Sequence, residues 1–236
     1  MIPWLDAHDT FPPPEFALRD PNGLLCAGGN LSPQRILAAY RLGVFPWFSA
    51  GEPILWWSPD PRMTLIPGQI KISRSLRKTL SRKHYEIRLD SEFASVIDAC
   101  ATTPRKGQRG TWITDDMREA YLHLHRLGHA HSVETWIDGR LAGGLYGLAI
   151  GKMFYGESMF SHITDASKIA LAHLARHLET LGFGLIDCQM STPHLASLGA
   201  REIRRHEFIN RIRQLTSTDI PPGPWSIDAA THYHWE

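Results

Sequence analysis

The chain contains few cysteines and no apolar run of the length that a bilayer crossing requires, about 20 residues. Three of its 236 residues are cysteine, and Cys26, Cys100 and Cys188 lie far apart, outside any CxxC or Cys/His metal spacing. A disulfide framework and a zinc site are therefore not indicated. The N-terminus also lacks the basic start and apolar stretch of a secretory signal. These absences predict a soluble, cytoplasmic protein with reduced thiols.

Net charge is nearly absent as well, since the formal charge is +1, but the basic residues are unevenly distributed. One stretch of thirteen residues without an acid contains Lys71, Arg74, Arg77, Lys78, Arg82 and Lys83. A helix predicted over 73–81 places Arg74, Arg77 and Lys78 on one face, at spacings of three and four residues. Such a face suits a phosphate backbone, and the alternative is an ordinary solvated helix face.

Composition divides the chain near residue 62. Residues 1–62 are rich in proline, glycine and tryptophan, which predicts a small loop-rich domain with one helix, capped by Ser32 and ended by Gly43. Residues 63–236 alternate between strand-like and helix-like segments, which predicts a second, larger domain. Asp138-Gly139 between two strand patterns is typical of a hairpin. The expected fold class is α+β, with a mostly antiparallel sheet flanked by helices.

The clearest helix pattern covers 166–181, with an apolar leucine stripe, Asp165 as its predicted N-cap and Gly182 after its end. This helix joins a strand that ends with Glu157 to a strand that contains Asp187. A strand, a helix and a returning strand form a βαβ unit, which brings the ends of both strands to one edge of the sheet. We therefore expect Glu157 and Asp187 to meet.

The strand after this helix carries polar residues in an otherwise apolar segment. Strict alternation places Leu185, Asp187 and Gln189 on one face, so the carboxylate and the amide are expected to be neighbours. A carboxylate in a core is usually paired, protonated or placed at a cleft. Two interpretations stay open at this point: a functional site, or a hydrogen-bonded structural aspartate at a strand end.

Several long motifs resemble those of one known family. They include Gly28-Gly29-Asn30-Leu31-Ser32, Gly43-Val44-Phe45-Pro46-Trp47-Phe48, Trp56-Trp57-Ser58-Pro59-Asp60-Pro61-Arg62, Gly110-Thr111-Trp112-Ile113-Thr114, Gly156-Glu157-Ser158-Met159-Phe160-Ser161 and Asp187-Cys188-Gln189. On these motifs, which extend over most of the chain, the sequence resembles the leucyl/phenylalanyl-tRNA–protein transferases. The resemblance implies a small N-terminal domain joined to a larger domain of the GNAT-like acetyltransferase fold.

The same resemblance implies an activity. Enzymes of that family move Leu or Phe, and less well Met, from aminoacyl-tRNA to the α-amine of proteins that begin with Lys or Arg. The modified proteins are thereby marked for N-degron (N-end rule) degradation. The implied partners are Leu-tRNA, Phe-tRNA and these acceptor proteins, with no membrane, no metal and no organic cofactor. We expect a monomer.

The resemblance also implies roles for individual residues. The catalytic positions are Asp187, Gln189 and Glu157, and the family assigns Gln189, supported by Asp187, a role in drawing a proton from the amine. A neutral amide is a poor base, so an orienting role for Gln189 and a proton relay through the terminal adenosine hydroxyl both stay open. Glu157 is expected near the donor amino group or the incoming cationic N-terminus. The other implied positions are Trp47 and Trp112 for the terminal adenosine of tRNA, Leu145, Phe154, Leu174 and Leu178 for the aminoacyl pocket, and Arg74, Lys78 and Arg82 for tRNA phosphates.

The residues implied for the aminoacyl pocket differ from the family in identity and from simple strand alternation in position. Leu174 and Leu178 depart from the family, which carries phenylalanine at both positions, so a pocket of different shape is implied. Alternation along the strand places Phe154 on the face opposite Glu157, unless Gly156 forms a bulge. Ordinary core packing is the alternative interpretation for each of these leucines.

Two other functions stay open at this stage. An acetyl-coenzyme A acetyltransferase on the same fold needs a glycine-rich pyrophosphate turn between the central strand and the next helix, and residues 158–165 lack it. A non-catalytic tRNA-binding protein accounts for the basic stretch and the tryptophans, but not for Glu157, Asp187 and Gln189.

Overall fold

The computed structural model describes residues 2–82, 84–104, 111–218 and 220–226, together with Tyr233 and Trp235. Lys83 of the basic stretch and Gly110 of the motif at 110–114 lie outside the described residues. Within the described ranges the chain forms two sheets and seven α-helices. None of the helices in these ranges has the length and apolar character that a membrane crossing needs.

A small four-stranded sheet occupies the N-terminal part of the chain. Its strands are β1 (Trp4–Leu5), β2 (Leu24–Gly28), β3 (Phe45–Pro46) and β4 (Leu55–Trp57), in the order β1-β2-β4-β3. Helix α1 (Pro33–Arg41) lies between β2 and β3, as predicted. The Ser32 hydroxyl accepts the N–H of Arg35 at its start, and Gly43, with a φ of 77°, follows its end.

A seven-stranded sheet forms the larger part of the molecule. Its strands are β5 (Arg62–Leu65), β6 (Glu86–Leu89), β7 (Ala130–Ile137), β8 (Arg140–Ile150), β9 (Met153–Ser161), β10 (Leu185–Gln189) and β11 (Arg201–Ile203), in the order β11-β5-β10-β9-β8-β7-β6. Strands β9 and β10 run parallel, and the other neighbouring pairs of this sheet are antiparallel. The hairpin between β7 and β8 turns at Asp138 and Gly139, both with positive φ, as predicted.

Helices cover both faces of the large sheet. They are α2 (Arg74–Arg82), α3 (Phe93–Thr102), α4 (Asp115–Arg126), α5 (Ala166–Thr180), α6 (Pro193–Ser197) and α7 (Arg205–Leu215). One buried cluster joins α2 and α5 to one face. A second cluster joins the other face to α1, α3, α4, α7 and the small sheet. The α+β class with a mostly antiparallel sheet is confirmed, whereas the domain boundary at residue 62 stays a prediction.

The start of α5 differs from the expectation that Asp165 caps it. Asp165 adopts a left-handed conformation with a φ of 66°, and its carboxylate accepts a hydrogen bond from Lys168 Nζ at 2.7 Å instead of capping the helix. The hydroxyl of Ser161, at the end of β9, accepts the N–H of Ser167 and takes the capping role. A side chain from the preceding strand therefore fixes the entry of the chain into α5.

An irregularity in β9 decides which side chains face the site. Tyr146 of β8 pairs with Ser158, whereas the next residue, Gly147, pairs with Gly156, so Glu157 is the extra residue of a β-bulge. Gly147 permits this arrangement, because a Cβ there would collide with the carbonyl oxygen of Tyr155. The conditional expectation of a bulge near Gly156 is thus confirmed.

Candidate active site

A cavity of about 630 Å³ opens beyond the last paired residues of the parallel strands β9 and β10. Its walls are largely apolar and include Leu145, Phe154, Met159, Leu171, Leu174, Ile186 and Leu195. Glu157 and Gln189 contribute polar groups to the wall, and Trp47 and Trp112 also border the cavity. A mostly apolar cavity with a few converging polar groups is typical of a ligand site.

The carboxylate of Glu157 is held by two tyrosines from different helices. Tyr40 Oη of α1 donates to Oε1 at 2.7 Å, and Tyr121 Oη of α4 donates to Oε2 at 2.8 Å. The two hydroxyl oxygens are themselves 2.7 Å apart. Burial raises the pKa of Glu157 to about 7, although the hydrogen bonds from the two tyrosines act in the opposite direction.

The carboxylate of Asp187 is committed to a buried ion pair. Arg62 Nε and Nη2 donate to its two oxygens at 2.8 Å and 2.7 Å, and both side chains have no exposed surface. The guanidinium also donates to the carbonyl of Gly43 and lies 4.7 Å and 4.6 Å from the ring centres of Phe45 and Phe208. Asp187 therefore points away from the cavity, and the expectation that it shares a face with the Gln189 side chain is wrong.

Gln189 reaches the cavity because the strand ends in an unusual conformation. Its φ is 58°, and the register with β5 shifts between Asp187 and Gln189. The backbone N–H of Gln189 donates to Asp187 Oδ1 at 2.9 Å, and the side-chain Nε2 donates to Glu157 Oε1 at 3.1 Å. Asp187 thus holds Gln189 through the backbone, and Glu157 meets Gln189 rather than Asp187.

Three of the four residues predicted for the aminoacyl pocket line the cavity. Leu145, Phe154 and Leu174 line the cavity, but Leu178 does not. Leu178 lies one turn, about 6 Å, further along α5 and is fully buried in the core. Leu171, one turn before Leu174, takes its place in the wall. The leucine stripe indicated the face correctly, but spacing alone did not show where the cavity ends.

The two predicted tryptophans lie at the same cavity. Trp47 is 44% exposed and packs edge-on against Trp57, with ring centres 5.4 Å apart. Trp57 Nε1 donates to the carbonyl of Trp47 at 2.7 Å and fixes the backbone there. Trp112 is half-buried and precedes Thr114, whose hydroxyl caps α4. Two aromatic faces from distant parts of the chain thus border one opening.

The basic face of α2 is solvent-exposed. Leu76 and Leu80 are buried against α5, whereas Arg74, Lys78 and Arg82 are exposed on the outer side of the helix. The structure shows no ion-pair partner for these three side chains among residues 2–82, 84–104, 111–218 and 220–226. Within these ranges, their charges are left without an acidic partner.

Three site residues escaped the sequence argument. Tyr40 and Tyr121 lie on helices that precede Glu157 by many residues, so periodicity alone cannot pair them with it. Arg62 has a detectable signal, because it is a charged residue at the start of the buried strand β5. In the described part of the chain, no three His, Cys, Asp or Glu side chains gather as metal ligands do.

Comparison with known proteins places the chain in a family. Residues 64–213 match the model described as leucyl/phenylalanyl-tRNA protein transferase, and residues 29–60 match the model of its N-terminal domain. Proteins named leucyl/phenylalanyl-tRNA–protein transferase are similar over nearly the whole length. The one from Azoarcus sp. is 60% identical over 100% of both chains, and the one from Nitrosomonas europaea is 61% identical over 97% of this chain and 96% of its own.

Solved structures show a more distant similarity. L-PGS from Bacillus licheniformis is 10% identical, with a TM-score of 0.38 over 69% of this chain and 52%, about half, of its own length. A GCN5-related N-acetyltransferase from Kribbella flavida is 11% identical, with a TM-score of 0.37 over 72% of this chain and 60% of its own. On the family models and the full-length relatives, this chain belongs to the leucyl/phenylalanyl-tRNA–protein transferases, a family of aminoacyltransferases.

Proposed function

We propose that this protein transfers Leu or Phe, and less well Met, from aminoacyl-tRNA to the α-amine of proteins that begin with Lys or Arg. One observation carries the proposal: a single cavity combines apolar walls, a carboxylate and amide pair, and two tryptophans at its border. The names of the relatives support the donor and the type of reaction.

The chemistry needs no nucleophilic side chain. The reaction is the attack of an α-amine on the ester that links an amino acid to tRNA, and this ester is already reactive. Holding the two reactants in line therefore supplies much of the acceleration. Because Gln189 Nε2 donates to Glu157, its Oε1 is left as an acceptor that aims an N–H group of the amine. Asp187 acts as a positioning residue, since it fixes the backbone of Gln189.

The apolar wall suits the donor side chain. Leu145, Phe154, Leu171 and Leu174 offer apolar contacts to Leu, Phe or Met but no hydrogen bonds to a polar side chain. Such a wall discriminates by about 1–3 kcal/mol for each methylene that is missing or added. The family resemblance leads us to expect phenylalanine at position 174, and the smaller Leu174 leaves more room in the wall, which favours acceptance of Phe beside Leu.

The tryptophans and α2 suit the tRNA. Trp47 and Trp112 offer rings on which the unpaired terminal adenosine stacks, a way of binding that needs no base pairing. Arg74, Lys78 and Arg82 contact phosphates of the acceptor stem, which positions the tRNA without reading its sequence.

The acceptor enters as a cation. A protein that begins with Lys or Arg carries a positive side chain beside its α-ammonium group, and the carboxylate in the cavity wall belongs to Glu157. The transferred residue then becomes the new N-terminus, which marks the protein for N-degron degradation. A monomeric state, a cytoplasmic location and the lack of a cofactor belong to the same proposal.

A transfer assay tests the proposal. Purified protein is mixed with tRNA charged with labelled Phe, Leu or Met and with a peptide that begins with Arg, beside an otherwise identical peptide that begins with Asp. We expect label on the Arg peptide only, with less from Met-tRNA than from the other two. Absence of transfer to either peptide while tRNA still binds would favour a non-catalytic tRNA-binding protein, and acetylation from acetyl-coenzyme A would favour an acetyltransferase.

Two leucines of α5 provide a matched pair for the donor pocket. Leu174 and Leu178 are both fully buried, but Leu174 alone lines the cavity. Each change to alanine is expected to destabilise the protein by about 2–5 kcal/mol. Only Leu174→Ala is expected to shift the ratio of Phe to Leu transfer towards Phe. Equal shifts in both variants would mean that the cavity is not the donor pocket.

A further inference from the structure

The hydroxyls of Tyr40 and Tyr121 form a closed ring with the carboxyl group of Glu157. Tyr40 Oη lies 2.7 Å from Glu157 Oε1, Tyr121 Oη lies 2.8 Å from Oε2, and the two hydroxyl oxygens lie 2.7 Å apart. All three distances are typical of O–H···O hydrogen bonds. Each side of the ring therefore requires one proton between its two oxygens.

The number of protons depends on the state of Glu157. The two tyrosines supply one proton each, and an ionised carboxylate supplies none, so one side of the ring has two oxygens without a proton. A protonated Glu157 supplies the third: it donates to Tyr40, Tyr40 donates to Tyr121, and Tyr121 donates back to the carboxyl group. The ring is fully hydrogen-bonded only when Glu157 carries a proton.

We propose that Glu157 is the proton acceptor of the transfer reaction, and that Tyr40 and Tyr121 are positioning residues whose ring accommodates the proton it receives. This inference rests on the proposed function. One N–H bond of the acceptor ammonium breaks, and its proton bonds to a carboxylate oxygen of Glu157. The lone pair of nitrogen then forms the new C–N bond as the ester C–O bond breaks, and a second N–H proton passes to the departing ribose oxygen. Glu157 finally returns its proton to water.

The polar neighbours of Glu157 are poorly placed to accept the proton themselves. Gln189 is neutral and donates its N–H to Glu157, while Asp187 is turned away and bound to Arg62. The charges of Asp187 and Arg62 act on Glu157 in opposite directions, with Asp187 raising its pKa and Arg62 lowering it. Tyr40 and Tyr121 are buried, and burial raises the pKa of each hydroxyl well above the ordinary value for tyrosine. Both hydroxyls therefore stay protonated.

The first test compares wild type with Glu157→Gln in single-turnover transfer to an Arg peptide at about pH 7 and about pH 9.5. A glutamine can donate and accept around the ring as a protonated glutamate does, so the fold is preserved. At about pH 7 only about one tenth of the acceptor amine is free, since its pKa lies near 8, and we expect a loss of about 10-fold. At about pH 9.5 nearly all of the amine is already free, and the loss is expected to shrink to about 2-fold or less.

The second test addresses the ring. Removal of a hydroxyl that donates to the carboxylate raises the pKa of Glu157, so Tyr40→Phe and Tyr121→Phe are each expected to move the lower inflection of the pH–rate profile up by about one unit. Tyr85→Phe is the matched control, because its hydroxyl contacts His173 outside the ring, and its inflection is expected to match wild type.

The outcomes separate the two proposals. If wild type transfers nothing, the proposed function fails. If wild type is active but the Glu157→Gln loss is equal at both pH values, Glu157 has a structural or binding role and this inference is overturned. Inflections that stay in place in both tyrosine variants would overturn the role of the ring.

Discussion

Under the proposed function, Asp187 influences the reaction through its neighbours and not through contact with substrate. Its carboxylate is divided between the guanidinium of Arg62 and the backbone N–H of Gln189. That backbone bond stabilises a residue with a positive φ, and the conformation in turn sends the Gln189 side chain towards Glu157. Asp187 does not line the cavity, yet it determines the direction of the Gln189 side chain, which does.

Asp187→Ala is therefore expected to destabilise the protein as well as stop transfer. The change leaves the buried guanidinium of Arg62 without its partner, which costs about 3–5 kcal/mol. Urea unfolding followed by circular dichroism measures the loss. The control combines Arg62→Met with Asp187→Leu, which removes both charges and is expected to recover most of the stability while transfer stays low. Wild-type stability in Asp187→Ala would contradict the structural role.

At the scale of elements, α2 is anchored by its apolar side and presents its charges to solvent. The buried Leu76 and Leu80 hold it against α5, whereas Arg74, Lys78 and Arg82 are exposed. Changing these three to glutamine is therefore expected to leave the fold intact. If each contacts a phosphate, the slope of log affinity for tRNA against log salt falls by roughly 2–3 units in total.

Filter binding or fluorescence titration at several salt concentrations measures that slope. The matched control changes three exposed arginines of other elements, Arg126, Arg140 and Arg213, to glutamine and is expected to keep the wild-type slope. An equal change in both triple variants would mean that tRNA responds to net charge and not to α2.

Local sequence signals predicted the elements well and their contacts less well. Asp138-Gly139 and the Ser32 cap specify structure within a few residues, so the hairpin and α1 followed directly from the sequence. The pairing of Arg62 with Asp187 joins residues separated by 125 positions, and no periodicity contains that information. The bulge at Glu157 could be stated only as a condition, because it depends on how β8 pairs with β9.

At the scale of the whole molecule, the burial of Glu157 at the candidate active site lowers the stability of the folded protein when its carboxyl group is ionised. Tyr40 belongs to α1 beside the small sheet, Tyr121 belongs to α4, and Glu157 and Gln189 belong to the large sheet. Folding brings these elements together around a carboxyl group that it partly removes from water. An ionised Glu157 is therefore expected to weaken the folded state that positions it.

The pH dependence of unfolding measures how much the ionisation of Glu157 destabilises the folded protein. The pKa of Glu157 is about 7 in the folded protein, against 4.5 for an ordinary glutamate. Between these values the folded state keeps a proton that the unfolded state releases, so the free energy of unfolding falls as pH rises through this window. Below this pH window Glu157 is protonated in both states and does not change the free energy of unfolding. Above the window Glu157 is ionised in both states, and the free energy of unfolding has fallen by its full amount, roughly 3 kcal/mol.

Glu157→Gln removes this titration, so its stability relative to wild type is expected to increase by about 2–3 kcal/mol between pH 5 and pH 8. Urea unfolding of both proteins at matched pH values measures the difference. Other titrating groups, such as His173, whose pKa burial lowers to about 4, act equally in both proteins and cancel. Parallel curves would mean that Glu157 ionises as freely in the folded protein as in the unfolded chain, and would remove the physical basis for a carboxyl group that exchanges a proton near neutral pH.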